Sequence, residues 1–317
     1  MNSELKIRQY VKGKDELLWI NIFNRAMAEF PDMPPLTLED LEVEVKAPNF
    51  DPEGRFIAEW NGKPVGEIHA YIDPVRPEKK GELYGPRVVP EFRRRHIGKA
   101  LVETAFQSFR ARGIQLVQTR TRDENIAGKG LLESFGFQIN RVSSRMWRSL
   151  QDLPEDVGEN QAIKIIQLEL TEENLLLQNC LMNETMKEHY NFRPLTMDET
   201  SYYNQNLAQL GITPYQQVAY LQEEPVGILI SSIDRKEIEH RKKNIGWLLV
   251  LGVLKNFRGK GIGKALMIAG MKLLKEKGMD EAELGVDDEN PVKAIQIYRK
   301  LGFQVVLKML TYNKDLD

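Results

Sequence analysis

The stretch Asn256-Phe257-Arg258-Gly259-Lys260-Gly261-Ile262-Gly263-Lys264-Ala265-Leu266 follows the uncharged run Ile245–Val253 and precedes Leu266, Ile268, Ala269, Leu273 and Leu274, which recur at helical spacing up to Gly278. An apolar, partly β-branched run reads as a buried strand, and the later periodicity as a helix that stops at glycine. Glycines therefore stand where a strand turns into a helix. The first amides of a helix have no partner inside it, and the dipole leaves that end mildly positive. Gly259, Gly261 and Gly263 let the backbone approach a bulky anion, and Arg258, Lys260 and Lys264 bring charge nearby. The local chemistry suits a diphosphate. A P-loop is excluded because Ala265 stands where a serine or threonine would hold magnesium. A dinucleotide fingerprint is excluded because the glycines are spaced Gly-x-Gly-x-Gly rather than G-x-G-x-x-G.

Beyond the loop, Val286-Asp287-Asp288-Glu289-Asn290 ends the next strand, and Ala294, Ile295, Tyr298 and Leu301-Gly302-Phe303 follow. Together with Arg258-x-x-Gly261-x-Gly263, this set resembles the GCN5-related N-acetyltransferases. The resemblance implies an α/β fold whose mixed, mostly antiparallel twisted sheet is flanked by helices. It implies acetyl-CoA as co-substrate, held by the amides from Arg258 to Lys264 (Arg258, Gly259, Lys260, Gly261, Ile262, Gly263, Lys264). The strand edge Leu251, Gly252, Val253 would carry the pantetheine arm, with Asn290 touching it. Tyr298 would protonate the departing thiolate, an apt step for a phenol. The residues also permit plainer readings: Tyr298 lies four residues after Ala294, as a core aromatic would, and Asn290 before Pro291 suits a helix cap. The general base is not legible in the uncharged strand, so Asp287 and His240 stand as the candidates.

The pattern occurs twice. Phe92-Arg93-Arg94-Arg95-His96-Ile97-Gly98-Lys99-Ala100-Leu101 aligns with Phe257 to Leu266 at a constant offset, and Asn125 aligns with Asn290 at the same offset. Lys63-Pro64-Val65-Gly66 matches Glu224-Pro225-Val226-Gly227, and Phe135-Gly136-Phe137 matches Leu301-Gly302-Phe303. A duplicated domain is expected: 1–150, a polar, acidic linker over 151–161, and 162–317. Tandem members of the family are known. Val88, Arg93, Arg94, Arg95, His96, Ile97, Gly98, Lys99 and Asn125 form a second candidate cofactor site. Arg94 and His96 replace two of its glycines, and Leu132 or Glu133 takes the tyrosine's place, so this half is expected to be catalytically silent.

Within each half the order is strand, helix, connection, hairpin, strand, glycine loop, helix, strand. Asn61-Gly62 is a two-residue hairpin signal. The connection from His189 to Gln209 carries His189-Tyr190-Asn191-Phe192-Arg193-Pro194 and Tyr202-Tyr203, aromatic content that suits either an amine pocket or packing.

The chain has 317 residues, 42% hydrophobic and 28% charged, with a net charge of −2. That balance argues against nucleic acid as a partner. A single cysteine and four scattered histidines argue against a disulfide and a metal site. No apolar run approaches a membrane span, so a cytoplasmic protein without a membrane partner is expected. The acceptor expected is a small primary amine, with a peptide or protein amine as the alternative and a non-catalytic acyl-CoA-binding regulator as the rival of another class.

Overall fold

The computed structural model describes residues 4–154 and 162–316. Two compact units emerge: Met1–Val142 with Met309–Asp317, and Ser143–Lys308.

The first unit contains β1 (Leu5–Gln9), α1 (Glu16–Met27), α2 (Leu38–Lys46), β2 (Arg55–Trp60), β3 (Lys63–Tyr71), β4 (Lys80–Val88), α3 (Ile97–Ala111), β5 (Leu116–Arg122) and α4 (Ile126–Ser134). Then comes β6 (Gln138–Ser149), and in the second unit β7 (Ile163–Leu168), α5 (Glu172–Met186), α6 (Met197–Asn206), β8 (Ile212–Leu221), β9 (Glu224–Asp234) and α7 (Arg235–Arg241). The chain ends with β10 (Ile245–Val253), α8 (Ile262–Glu276), β11 (Glu281–Asp287), α9 (Ala294–Lys300) and β12 (Gln304–Asp315).

In the first unit β1, β2, β3 and β4 pair antiparallel in succession, and β4 pairs with β5 in parallel. The second unit repeats this with β7, β8, β9, β10 and β11. Each sheet is mixed and mostly antiparallel, as expected. The division expected at 150 and 162 is corrected by the last strands. Met309–Asp315 of β12 pair with β5, so they complete the first unit, while Ser143–Ser149 of β6 pair with β11 in the second. Of the expected linker, residues 155–161 lie outside the described residues.

Small residues let the helices sit close on each sheet. A Cβ added at Gly81 would lie 2.2 Å from the Phe109 ring, and one at Gly246, the equivalent position, 2.5 Å from Leu274. Phe109 and Leu274 are both fully buried. Gly81→Ala therefore forces a rigid ring to move in a dense core, at a cost of about 1–3 kcal/mol. A thermal melt should show it as a midpoint several degrees lower; an unchanged midpoint would mean that this packing is loose.

The connection expected over His189–Gln209 contains α6. Thr196 accepts from the Glu199 amide and Glu199 reaches back to the Thr196 amide, closing a capping box. That Thr-x-x-Glu signal was legible, but the polar helix behind it has no apolar stripe to mark it.

Candidate active site

The site in the second unit is built by two parallel strands that part company. β10 pairs with β11 only over Ile245–Leu248, against Glu281–Leu284. Beyond Leu248, a bulge between Leu248 and Val250 turns β10 with its other partner β9, while β11 stays with β6 as far as Asp287. A wedge opens between Leu249–Val253 and Gly285–Asp287. Gly285 is exposed, with open space where a side chain would stand. The Leu254 amide donates to Val226 O at 2.9 Å, on the β9 side. Backbone groups alternate along a strand, so Gly252 faces β9, whereas Leu251 and Val253 turn their polar groups toward the wedge. Gly252 also leaves room for α5, since an added Cβ would meet Thr185 Oγ1 at 2.1 Å.

The glycine loop closes the end of this wedge. Gly259 and Gly261 have φ of 79° and 84°, the left-handed conformation that lets successive amides turn toward one side before α8 begins. Lys260 lies over the Phe257 ring at 5.0 Å. The Arg258 side chain serves another purpose. Its Nε donates to Val253 O at 3.1 Å, and its other nitrogens reach Thr185 O and Glu188. It ties the strand's end to the end of α5, so its charge is already partnered, and its amide donates to Lys255 O at 3.3 Å, so the free amides of the loop begin after it. Lys255 and Arg258 together hold the Glu188 carboxyl down at about 2.

Tyr298 lies on α9, 8% exposed, its ring 6.2 Å from that of Phe303. Burial pushes its phenol up to about 12, so it carries its proton throughout the neutral range. Both the core-aromatic and the donor reading are compatible with this placement. Asn290 is buried; its Oδ1 accepts from the Val292 amide at 2.9 Å and its carbonyl from Lys293. It forms a turn ahead of α9, whose first-turn cap is Lys293.

The two candidate bases separate. His240 is exposed on α7, which precedes β10, whereas the loop follows it. The strand between them is nine residues long, roughly 25 Å at about 3.3 Å per residue. His240 is therefore not at this site. Asp287 is, at the end of β11, and it brings a residue that sequence reasoning passed over as one of several aromatics. His189 follows α5 and feels the charges of Asp287, Arg258 and Glu188. Its side chain is exposed at the surface, and the partial desolvation on its inner side holds its pKa below the usual imidazole value, against the pull of Asp287. At neutral pH it is an uncharged imidazole beside the loop. The first unit provides an internal check on the geometry: Arg122, at the position of Asp287, stacks 4.7 Å from the ring of Phe30, at the position of His189.

The first unit keeps the loop and loses the edge. Arg94 and His96 adopt φ of 62° and 61°, the conformation of Gly259 and Gly261, with exposed side chains. Arg93 repeats the ties of Arg258, to Val88 O at 3.1 Å, Ala26 O at 3.0 Å and Glu29, and Arg95 stacks on Trp60 and Phe92. Ile97 is buried in the core and Lys99 faces Glu103. Asn125 caps α4 through the Gly128 amide. β4 also parts from β5 after Leu83, but Pro86 occupies the place of Leu251 and has no amide to offer.

Among the described residues no group of histidine, cysteine, aspartate and glutamate is placed to hold a metal ion, and no helix is long and apolar enough to cross a membrane.

Parting parallel strands with a left-handed loop at the strand end fit an α/β acetyltransferase fold, and two stretches of the chain, residues 19–137 and 179–303, match the Acetyltransferase (GNAT) family. The chain belongs to that family. It is similar to the mycothiol acetyltransferase of Thermobispora bispora, 35% identical over 141 residues, which are 42% of this chain and 46% of that protein. The mycothiol acetyltransferase of Thermomonospora curvata is 34% identical over 131 residues, covering 41% and 43% of the two chains. The chain thus aligns with about half the length of these curated relatives. Two solved structures share its fold: a tandem GNAT protein from the clavulanic acid biosynthesis pathway (TM-score 0.75, 16% identity, 98% of both chains), and a GCN5-related N-acetyltransferase from Sphaerobacter thermophilus (TM-score 0.71, 20% identity, 98% of this chain and 95% of that one).

Proposed function

We propose that the protein transfers the acetyl group of acetyl-CoA to a small primary amine, with the chemistry in the second unit. The observation that carries this is the wedge between β10 and β11, with a free strand edge at Leu251, an amide-lined turn at Gly259–Gly263 and a protonated phenol at Tyr298. The diphosphate sits on the turn and the pantetheine arm runs along the strand edge. The family match and the half-length likeness to mycothiol acetyltransferases support a small-molecule acceptor.

His189, neutral and set beside Asp287, takes the proton from the arriving ammonium, directly or through water. The amine nitrogen attacks the thioester carbonyl, and the tetrahedral intermediate collapses with loss of the thiolate. Tyr298 gives that sulfur its proton, the second proton shed by the former ammonium nitrogen restores the phenol through water, and His189 releases the first to solvent. Asp287 stabilises the imidazolium in between.

His189→Asn keeps a polar side chain and removes the base. Turnover should fall about 10²-fold with CoA affinity unchanged. In the parent protein kcat/KM should drop as pH falls through the His189 pKa, below the ordinary 6.5, because protonation removes the acceptor. If the variant kept both the rate and the acid limb of the profile, His189 would have no part in proton transfer. The reading as a whole is tested by screening acetyl transfer to a panel of amines. Tight CoA binding with no transfer to any amine would favour a non-catalytic regulator instead.

A further inference from the structure

The first unit buries a polar cluster on the sheet face that carries α1 and α2. Arg55 on β2 stands directly opposite His69 on β3, and Glu67 lies two residues away on the same face. Their side chains are nearly sealed from solvent: Arg55 1% exposed, Glu67 0%, His69 5%. Three ion pairs balance the charges here: Arg55 with Glu44, Arg87 with Glu67 at 3.1 Å, and Arg112 with Asp51 at 2.7 Å. Hydrogen-bonding capacity is nevertheless left over. Nε and Nη1 of Arg55, Oε2 of Glu67 and Nε2 of His69 have no hydrogen-bond partner, although the Arg55 guanidinium lies over the rings of Tyr10, Trp19 and Phe50. His69 is bonded to the Asp51 backbone, an imidazole N–H donating to a carbonyl, and stays neutral, so Nε2 is an acceptor. Buried groups of this kind are costly unless something meets them.

The fold does not require them. At the equivalent positions the second unit has Gln216, Ile228 and Ile230, and the two isoleucines pack with Val218 and Leu181 in an ordinary apolar cluster. Aromatic rings frame the polar version. Tyr71 and Tyr84 lie 5.5 and 5.9 Å from the His69 ring, and Tyr84, 43% exposed, links the cluster to the surface.

We propose that the first unit binds a small zwitterion of the α-amino-acid type at this cluster: its carboxylate on the free N–H groups of Arg55, its ammonium on Glu67 Oε2 and His69 Nε2, its apolar part against Tyr71 and Tyr84. The unmet groups are two donors on a cation and two acceptors; burial raises Glu67 to about 7 against the pull of Arg87, and an arriving ammonium favours its ionised form. An anion alone leaves the acceptors unmet and faces Glu67; a cation alone leaves Arg55 unmet. A ligand carrying both charges meets all four and preserves neutrality. The site is separate from the CoA wedge and does not depend on the proposed transfer reaction.

The test is calorimetry and thermal melting of the full chain with each of the free amino acids at millimolar concentration, using acetate, ethylamine and myo-inositol as controls. At least one amino acid should bind and raise the midpoint, while the three controls do not. Arg55→Gln, and the pair Glu67→Ile with His69→Ile, install the second unit's own residues. Each should weaken that binding at least tenfold and leave CoA affinity unchanged. Glu67→Gln, the milder change, serves if the paired variant does not fold, and should weaken binding likewise. No response to any amino acid, an equal response to inositol, binding unaltered by the substitutions, or only ordered water at these atoms in a soaked crystal would each overturn the proposal.

Discussion

Tyr298→Phe will lower turnover about 10²-fold while CoA affinity stays within a factor of two, the signature of losing a proton donor used only as the thiolate leaves. The ring's burial and its contact with Phe303 survive the change, so stability should be preserved. The hydroxyl is raised to about 12 by burial. The parent enzyme should therefore show no alkaline fall in turnover attributable to this group until the pH approaches that value, where deprotonation removes the donor. Equal turnover of the two proteins would leave Tyr298 as a core aromatic and nothing more.

Leu251→Pro will weaken CoA binding at least tenfold and abolish measurable transfer, although the fold persists. The backbone alternation set by the Leu254–Val226 hydrogen bond turns the Leu251 amide away from β9. Proline there removes a donor aimed at the wedge without breaking a bond to β9. The sequence repeat places Pro86 at this position of β4, there within a register shift against β3, beside a loop whose backbone still matches that of the second unit. The silence proposed for the first unit rests on the strand edge and the missing phenol rather than on the loop. Calorimetry with CoA decides the point, with a melting curve to confirm folding. Unimpaired CoA binding by the proline variant would remove the strand edge from cofactor recognition.

The strand, glycine turn and helix around residue 260 were legible because each rests on local signals: an apolar run, glycines at left-handed positions, and helical periodicity. The duplication was legible for the same reason. What escaped the sequence depends on contacts between distant residues. β6 and β12 complete sheets in units other than those their positions suggest, since a strand's own residues do not name its neighbour. Arg258 read as a cofactor charge, yet its guanidinium binds Val253 O and Glu188, which only the approach of α5 reveals. His189 and Asp287 are far apart in the chain, and nothing local marks them as neighbours. Glu67 and His69 alternate with Gly66 and Ile68 along β3, so they read as the outer face of a hairpin until α1 is seen to cover them.

The central claim is that the turn from Gly259 to Lys264 and the strand edge at Leu251 and Val253 grip the cofactor. Backbone amide resonances, followed as CoA is added, test it residue by residue. The account predicts that the amides of Leu251, Val253 and 259–264 shift together, saturably, and that those of 93–99 do not shift at lower CoA concentration. Saturable shifts confined to 93–99, with the amides around Gly261 unmoved, would contradict it.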